Sequence, residues 1–499
     1  MFTGVNYSKI CAICAILAAA LLQGCHHQYR LLDENLIPIK PLPARSAVVI
    51  PLPMIEHNPG YDEAYIEFND GGHLFDPAPN RYQVDRTMAL IKKNQYKNIV
   101  LYVHGWNNNA SEESADVTRF RFALSYLSQK LEPKNDLLGI FIGWRGGTLK
   151  GGALGPFTFL TYWSRKQGAK RVGKVGDLTD VINELVKTTS EVQPGRRFYA
   201  IGHSFGARVL EQALQKSDHF NAFYDALENK RADVALPIDL VLLINPATDS
   251  RLTEQLIRKA NRLNKGEDFI ISHPGYNKAS CQQDPNQRIC KPYPLMVEMS
   301  SVGDYLTGGV MPVANLVNWV PPFLFLANPS ARVLSAPFTP GLETHKLTSC
   351  GYGVNPCGPT DAKTEFDFPM PATPEKTAPG QAAPQLMSER LERIDGEKSP
   401  FVWILKCDTQ MSLNHGDVWN GNVAAMMFAL VDPKGPKKVD TSPAPGPVAP
   451  APPLVKSLAI EPFSRLQEFE TAPAPPPVPV PESATEQHRP GLRRANQPQ

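Results

Sequence analysis

The stretch RRFYAIGHSFGARVLEQALQ, residues 196–215, sets a strand-forming run, Arg197 to Ile201, against a helical pattern that begins at Phe205. Between them stands Gly202-His203-Ser204-Phe205-Gly206, a serine at the tip of an apolar strand with glycine two places before it and two after. A turn this tight forces its central residue into a strained backbone conformation, and side chains at the two flanking places would collide. Glycine removes both. The segment reads as strand, elbow and helix. The Ser204 hydroxyl is expected to stand exposed, and the amide of Phe205 at the helix N-terminus to face any oxyanion formed beside it.

The same rhythm extends to either side. Apolar strands are expected at 98–105, 137–144, 197–204, 239–246, 294–301 and 401–407. They are short and apolar throughout, as strands are when helices cover both faces of a parallel sheet. A helical pattern at Val84–Lys93 precedes them, and others lie between several of them: Arg119–Leu131, Phe205–Gln215 and DLTDVINELVKTTSEV, 177–192, where Asp177 is a candidate cap. Such alternation predicts an α/β fold with a mainly parallel sheet. In a sheet of this kind ligands collect at the carboxyl ends of the strands, where Ser204 sits.

The Gly202–Gly206 segment resembles the nucleophile elbow of the α/β-hydrolase superfamily. VHGWNNNA (103–110), GWRGG (143–147) and GHSFGARV (202–209) together are similar to a bacterial group within it that is distantly akin to lipases. The resemblance covers roughly residues 60–430, without much of 305–400, and is silent on substrate. It implies a serine hydrolase of the carboxylesterase or lipase type, working through a Ser-His-Asp triad and an acyl-enzyme. His104-Gly105-Trp106 follows a clean strand, so the amide of Trp106 is the implied second oxyanion donor beside that of Phe205, with His104 itself structural. The implied chain order is Ser, then acid, then His. Asp304 follows the fifth strand and is the favoured acid; Asp249, after the fourth, is the alternative. The base is His415, in the loop between the last strand and an apolar C-terminal helix. His345 is a poor rival, and His203 is read as packing.

The N-terminus reads as a targeting segment. Lys9 precedes an apolar run from Ile10 to Leu22, too short for a comfortable membrane span. It ends in Leu22-Gln23-Gly24-Cys25, which resembles the lipobox of bacterial lipoproteins, cleaved before a cysteine that is then lipidated. The expected location is the bacterial cell envelope, lipid-anchored, and, because His26 rather than Asp follows Cys25, the outer membrane. Exported chains form disulfides. Cys281–Cys290 and Cys350–Cys357 each bracket a short polar loop and are candidate pairs, while Cys407 ends an apolar strand and is expected to be a buried thiol.

The resulting division is signal peptide 1–24, tether and first strand 25–60, α/β domain 61–432 with an insertion at about 305–400, and a Pro-rich tail 433–499. Usage of proline is high, 48 residues in 499, and concentrated in that tail and around 369–385. The tail cannot bury a core and should stay extended. In the insertion, Trp319 to Leu326 is either a lid or, the preferred expectation, a cap packed on the body.

A net charge of +2 gives no general electrostatic reason to bind nucleic acid. The cysteine spacings do not form a zinc site, and the glycines of 146–163 do not form a nucleotide phosphate loop, so no metal and no cofactor is expected. The partners expected are an ester or acyl substrate, a membrane reached through the lipidated N-terminus, and envelope proteins for the tail. Two rival readings keep the same fold: a non-catalytic anchored scaffold, and an acyltransferase.

Overall fold

A computed structural model describes residues 30, 32, 52–76, 81–94, 96–130, 136–147, 161–192, 196–228, 234–235, 237–263, 271–272, 294–312, 334–352, 357, 364–370, 387–394, 402–407, 415–416, 418–419 and 421–431. They all belong to one unit, Met1–Pro436; the other, Lys437–Gln499, lies outside the described residues. So do the signal segment with Cys25, the pair Cys281 and Cys290, and the apolar stretch 317–329.

In chain order the elements are β1 Ile55–Asn58, β2 Tyr61–Glu67, α1 Tyr82–Asn94, β3 Asn98–Val103, α2 Ala115–Lys130 and β4 Leu137–Gly143. Then come α3 Tyr162–Val175, α4 Asp177–Val192, β5 Arg197–His203, α5 Phe205–Leu214 and α6 Asp218–Glu228. β6 Val234–Ala235, β7 Leu240–Ile244, α7 Ser250–Leu263, β8 Ile271–Ser272 and β9 Met296–Ser301 follow. The last elements are β10 His345–Tyr352, β11 Thr364–Met370, β12 Met387–Arg393, β13 Val402–Cys407 and α8 Gly421–Val431.

Eleven strands form one mixed sheet in the order β1-β2-β4-β3-β5-β7-β9-β13-β10-β12-β11. From β2 to β10 every pairing is parallel; β1, β12 and β11 run antiparallel at the two edges. Helices cover both faces, so the fold is α/β.

Strand periodicity sorts the core into two layers. Ile99, Leu101 and Val103 of β3 pack with Leu178, Val181, Ile182 and Leu185 of α4 and Leu210 of α5. Val100 and Tyr102 face the other way, towards Phe120 and Leu124 of α2 and Met426 and Leu430 of α8. The strands that carry this core are buried on both faces, which is why they read as continuous apolar runs.

Two local expectations change. Asp177 does not cap α4; its carboxylate accepts the amide of Leu74 at 2.9 Å, tying the turn after β2 to the helix. Residues 305–400 are not only a cap or loop: β10, β11 and β12 extend the main sheet. His345 opens β10 and stacks on Trp403 with ring centroids 4.2 Å apart. Burial lowers its pKa to about 3, and it stays neutral there. Cys350 and Cys357 are joined by a disulfide, and Cys407 is a buried free thiol.

Beneath α5 lies a buried carboxyl pair. The Thr253 hydroxyl stands 3.0 Å from Glu211 Oε1 and 2.8 Å from Glu298 Oε2, and Thr248 donates to the other oxygen of Glu211 at 2.9 Å. Desolvation raises the pKa of both acids, and the Glu298 charge raises that of Glu211 further.

Candidate active site

The chain passes from β3 outward to β4 on one side and returns to β5 on the other. The carboxyl ends of β3 and β5 therefore flank a topological switch point, where α/β sheets open a crevice. Val103 is in register with Gly202, so Gly105 and Ser204, each two residues further on, leave the sheet side by side.

Ser204 takes φ 55° and ψ −121°, a left-handed conformation costing a non-glycine residue of order 1–3 kcal/mol. The neighbours hold it there. Its N–H donates to Ile244 O at 3.0 Å, and its carbonyl accepts the amide of Ala247 at 3.0 Å. The flanking glycines are required by close approach rather than by φ. A Cβ on Gly202 would stand 2.6 Å from Ala207 Cα; one on Gly206 would stand 2.1 Å from Val103 O.

The loop after β3 lies against this elbow. A Cβ on Gly105 would stand 2.9 Å from both Ser204 Cβ and His203 Nδ1. The segment after β4 grips the loop from outside: Asn107 N donates to Gly146 O at 3.0 Å and Gly146 N to Asn108 O at 3.1 Å. His104 is buried between the two. Its Nε2 accepts the amide of Trp144 at 3.0 Å, which leaves the proton on Nδ1 to donate to Gly105 O at 2.9 Å. Among the described residues no acceptor engages the amide N–H of Trp106 or of Phe205. The rings of Trp106, Tyr162 and Phe205 pack together beside them, with centroids 5.3–6.4 Å apart.

Two loops from further along the sheet complete the site. Asp304 stands three residues beyond β9, and His415 eight beyond β13. His415 Nε2 lies 2.7 Å from Ser204 Oγ. Its Nδ1 lies 2.9 and 3.0 Å from the two oxygens of Asp304. A carboxylate only accepts, so the proton sits on Nδ1 and Nε2 is left to accept the serine hydroxyl. Asp304 also receives the amides of Leu306 and Thr307 at 3.0 and 3.1 Å, and the Thr307 hydroxyl. Burial would raise its pKa, but the bonds from His415 and Thr307 win and hold it below the usual range. Burial lowers the pKa of His415, against the opposite pull of Asp304, so the imidazole is neutral at pH 7.

The other acid is committed elsewhere: Asp249 pairs with Arg208 at 3.2 Å. Three further residues serve the site without standing out in the sequence. Asn245, itself at φ 45°, donates from Nδ2 to the His415 carbonyl at 3.1 Å and accepts the amide of Ser301 at 3.0 Å. Its place directly before Pro246 at a strand end was the available signal. Thr307 braces Asp304. Asp116, at the start of α2, lies 3.7 Å from His203 and reads in the sequence as an ordinary helix-start acid. Among the described residues no group of histidine, cysteine and acidic side chains has the form of a metal site. No described helix is long and apolar enough to cross a membrane.

No family model and no curated protein matches the chain. A solved structure described as a lipase-esterase related protein from Clostridium acetobutylicum ATCC 824 is 18% identical, with a TM-score of 0.15, over 34% of this chain and 49% of that one. The match spans about half the length of that protein, and at this level it carries no argument about either fold family or chemistry.

Proposed function

We propose that the protein is a serine hydrolase of ester or acyl bonds built on an α/β-hydrolase fold. The observation that carries the reading is the continuous chain Ser204–His415–Asp304, with 2.7 Å from Oγ to Nε2 and 2.9 Å from Nδ1 to the acid. A serine hydroxyl is a weak nucleophile by itself. Here a neutral imidazole lies within proton-transfer distance. As Ser204 attacks a carbonyl carbon, His415 takes its proton, and Asp304 holds the tautomer and stabilises the imidazolium. The tetrahedral oxyanion is met by the amides of Trp106 and Phe205; losing one such donor costs about 10²–10³ in rate. His415 then returns its proton to the leaving group. Water, activated by the same imidazole, releases the acyl group from Ser204. The strained Ser204 backbone supports the reading, since conformations of this cost persist where the surroundings over-determine them, and they cluster at active sites.

On the same reading Cys25 is the lipidated residue and the enzyme works at the bacterial cell envelope, on the outer membrane. Incorporation of palmitate, and its loss in Cys25→Ala, tests the anchor. Labelling with a fluorophosphonate probe tests the chemistry. Wild type is expected to label, and Ser204→Ala and His415→Ala are expected not to. Folded wild type that stays unlabelled, with and without detergent, overturns the reading in favour of a scaffold.

A further inference from the structure

His203 is the neighbour of the nucleophile, yet its side chain turns away from the Ser204–His415 contact. It is buried, and its Nε2 lies 2.8 Å from the backbone carbonyl of His415. A carbonyl only accepts, so Nε2 carries a proton. The other ring nitrogen lies 3.7 Å from Asp116 Oδ2, ion-pair range rather than hydrogen-bond range, and meets no hydrogen-bond acceptor. With Nε2 already protonated, a bare Nδ1 would turn a lone pair towards a buried carboxylate. A protonated Nδ1 turns a positive charge towards it, which is the arrangement a buried charge requires.

Asp116 does more than face the imidazole. The same oxygen accepts the Tyr102 hydroxyl at 3.0 Å and faces the Gly105 amide at 3.5 Å. The carboxyl's pKa is lowered to about 2 despite burial, with His203 the foremost stabilising neighbour. Three pieces of the site thus converge on this pair: the elbow through His203, the oxyanion loop through Gly105, and the base loop through the His415 carbonyl.

We propose, resting on the hydrolase reading above, that His203 and Asp116 form a buried imidazolium–carboxylate pair that positions the His415 loop and the Gly105 loop against the elbow and sets the basicity of His415. The charged or titratable groups facing His415 are Asp304, His203 and Asp116. Those facing the pair are His415, His104, Tyr102 and, from the surface, Arg119. The two imidazole centroids are 5.0 Å apart, so the charge proposed on His203 resists a second charge on His415. His203 and Asp116 are positioning residues; neither touches the reacting atoms.

The test follows the pH dependence of fluorophosphonate labelling in wild type, His203→Gln, Asp116→Asn and the double variant. Thermal midpoints are measured beside it. Glutamine keeps a donor for the His415 carbonyl but no charge. In His203→Gln the acid limb of the labelling rate is expected to move up by about one pH unit, with the plateau lowered about tenfold. In the double variant both charges are gone, and the limb is expected to return towards the wild-type position while the plateau stays low. A limb that stays put in His203→Gln overturns the proposal, whether or not the midpoint falls, since packing alone does not move it. Selective ¹⁵N-histidine labelling, with the His203 signal assigned by its loss in His203→Gln, reads the pair without turnover. A doubly protonated ring at pH 7 is expected, and a neutral one overturns the pair. If wild type fails to label while that ring is doubly protonated, the hydrolase reading fails and takes the catalytic role of the pair with it.

Discussion

Ser204 is useful because its surroundings oblige it to be strained. Three backbone partners, Ile244 on β7, Ala247 in the turn after it and Arg208 on α5, fix a conformation that the residue would not choose, and the hydroxyl is left facing His415. The two aspartates that the sequence offered as acids separate at this scale. Asp304 receives four hydrogen bonds besides the imidazole's second contact; Asp249 neutralises Arg208. Asp304→Asn is therefore expected to lower kcat by about 10⁴, because an amide presents the wrong groups to Nδ1 and the tautomer is lost. Asp249→Asn is expected to leave the rate within about threefold, since its part-buried pair with Arg208 does not touch His415. Hydrolysis of short p-nitrophenyl esters by the two purified variants, at matched folded fraction, decides this. The pH dependence has a defined sign too. Burial depresses the His415 pKa below its ordinary value, so the free base persists under mildly acid conditions, and kcat/KM is expected to lose its acid limb below pH 6.5 rather than above it.

At the scale of the element, the elbow works because α5 starts without a spacer after β5. Gly206 lets the first turn of α5 sit on the carbonyls of Val103 and His104, 2.1 and 2.4 Å from where a Cβ would stand. Those carbonyls belong to β3 and the loop after it and have little freedom to withdraw. Gly206→Ala is expected to cost about 3 kcal/mol, an overpacking penalty at the upper end of its class, read as a lower urea midpoint at constant m. The legibility of the elements follows from burial. β3, β4, β5, β7, β9 and β13 are buried on both faces, so all but β9, which carries Glu298, Ser300 and Ser301, are mainly apolar runs that cannot be mistaken for a loop. β10, β11 and β12 are HKLTSCGY, TEFDFPM and MSERLER, which alternate charge with apolar residues and carry a proline in β11, the edge strand. Their strand character comes from pairing with neighbours about 17 to 48 positions away, which no local pattern reports. The same reasoning applies to the site. Ser204, Gly202 and Gly206 announce themselves because one short motif holds all the constraints. Asp116 and Asn245 act through groups brought in by the sheet, so each looks locally like an ordinary cap or turn residue.

For the molecule as a whole, several buried acids set the response to pH. Burial raises the pKa of Asp239 to about 7 and raises those of Glu211 and Glu298 as well. An acid whose folded pKa is raised stabilises the fold fully below its unfolded pKa, and that contribution is lost as pH rises through the folded pKa. Asp116 and Asp304 have the opposite sign, with stability present above their unfolded pKa and lost as pH falls through the lowered folded one. The thermal midpoint is therefore expected to climb as pH is lowered from 8 towards 5 and to fall again below about 4, where paired carboxylates begin to protonate. A midpoint that falls steadily from pH 8 to pH 5 would show that these acids are ionised in the fold. The Thr253 hydroxyl carries this further, because it has one hydrogen and two carboxyl groups within reach. One hydrogen cannot serve both fully, so one of the two raised carboxyls is expected to keep its own proton. Unfolding at neutral pH then hands that proton to the solvent, where the buffer takes it up. The calorimetric heat of unfolding is accordingly a different number in phosphate and in Tris, and the slope against buffer ionisation enthalpy counts the protons the interior was holding.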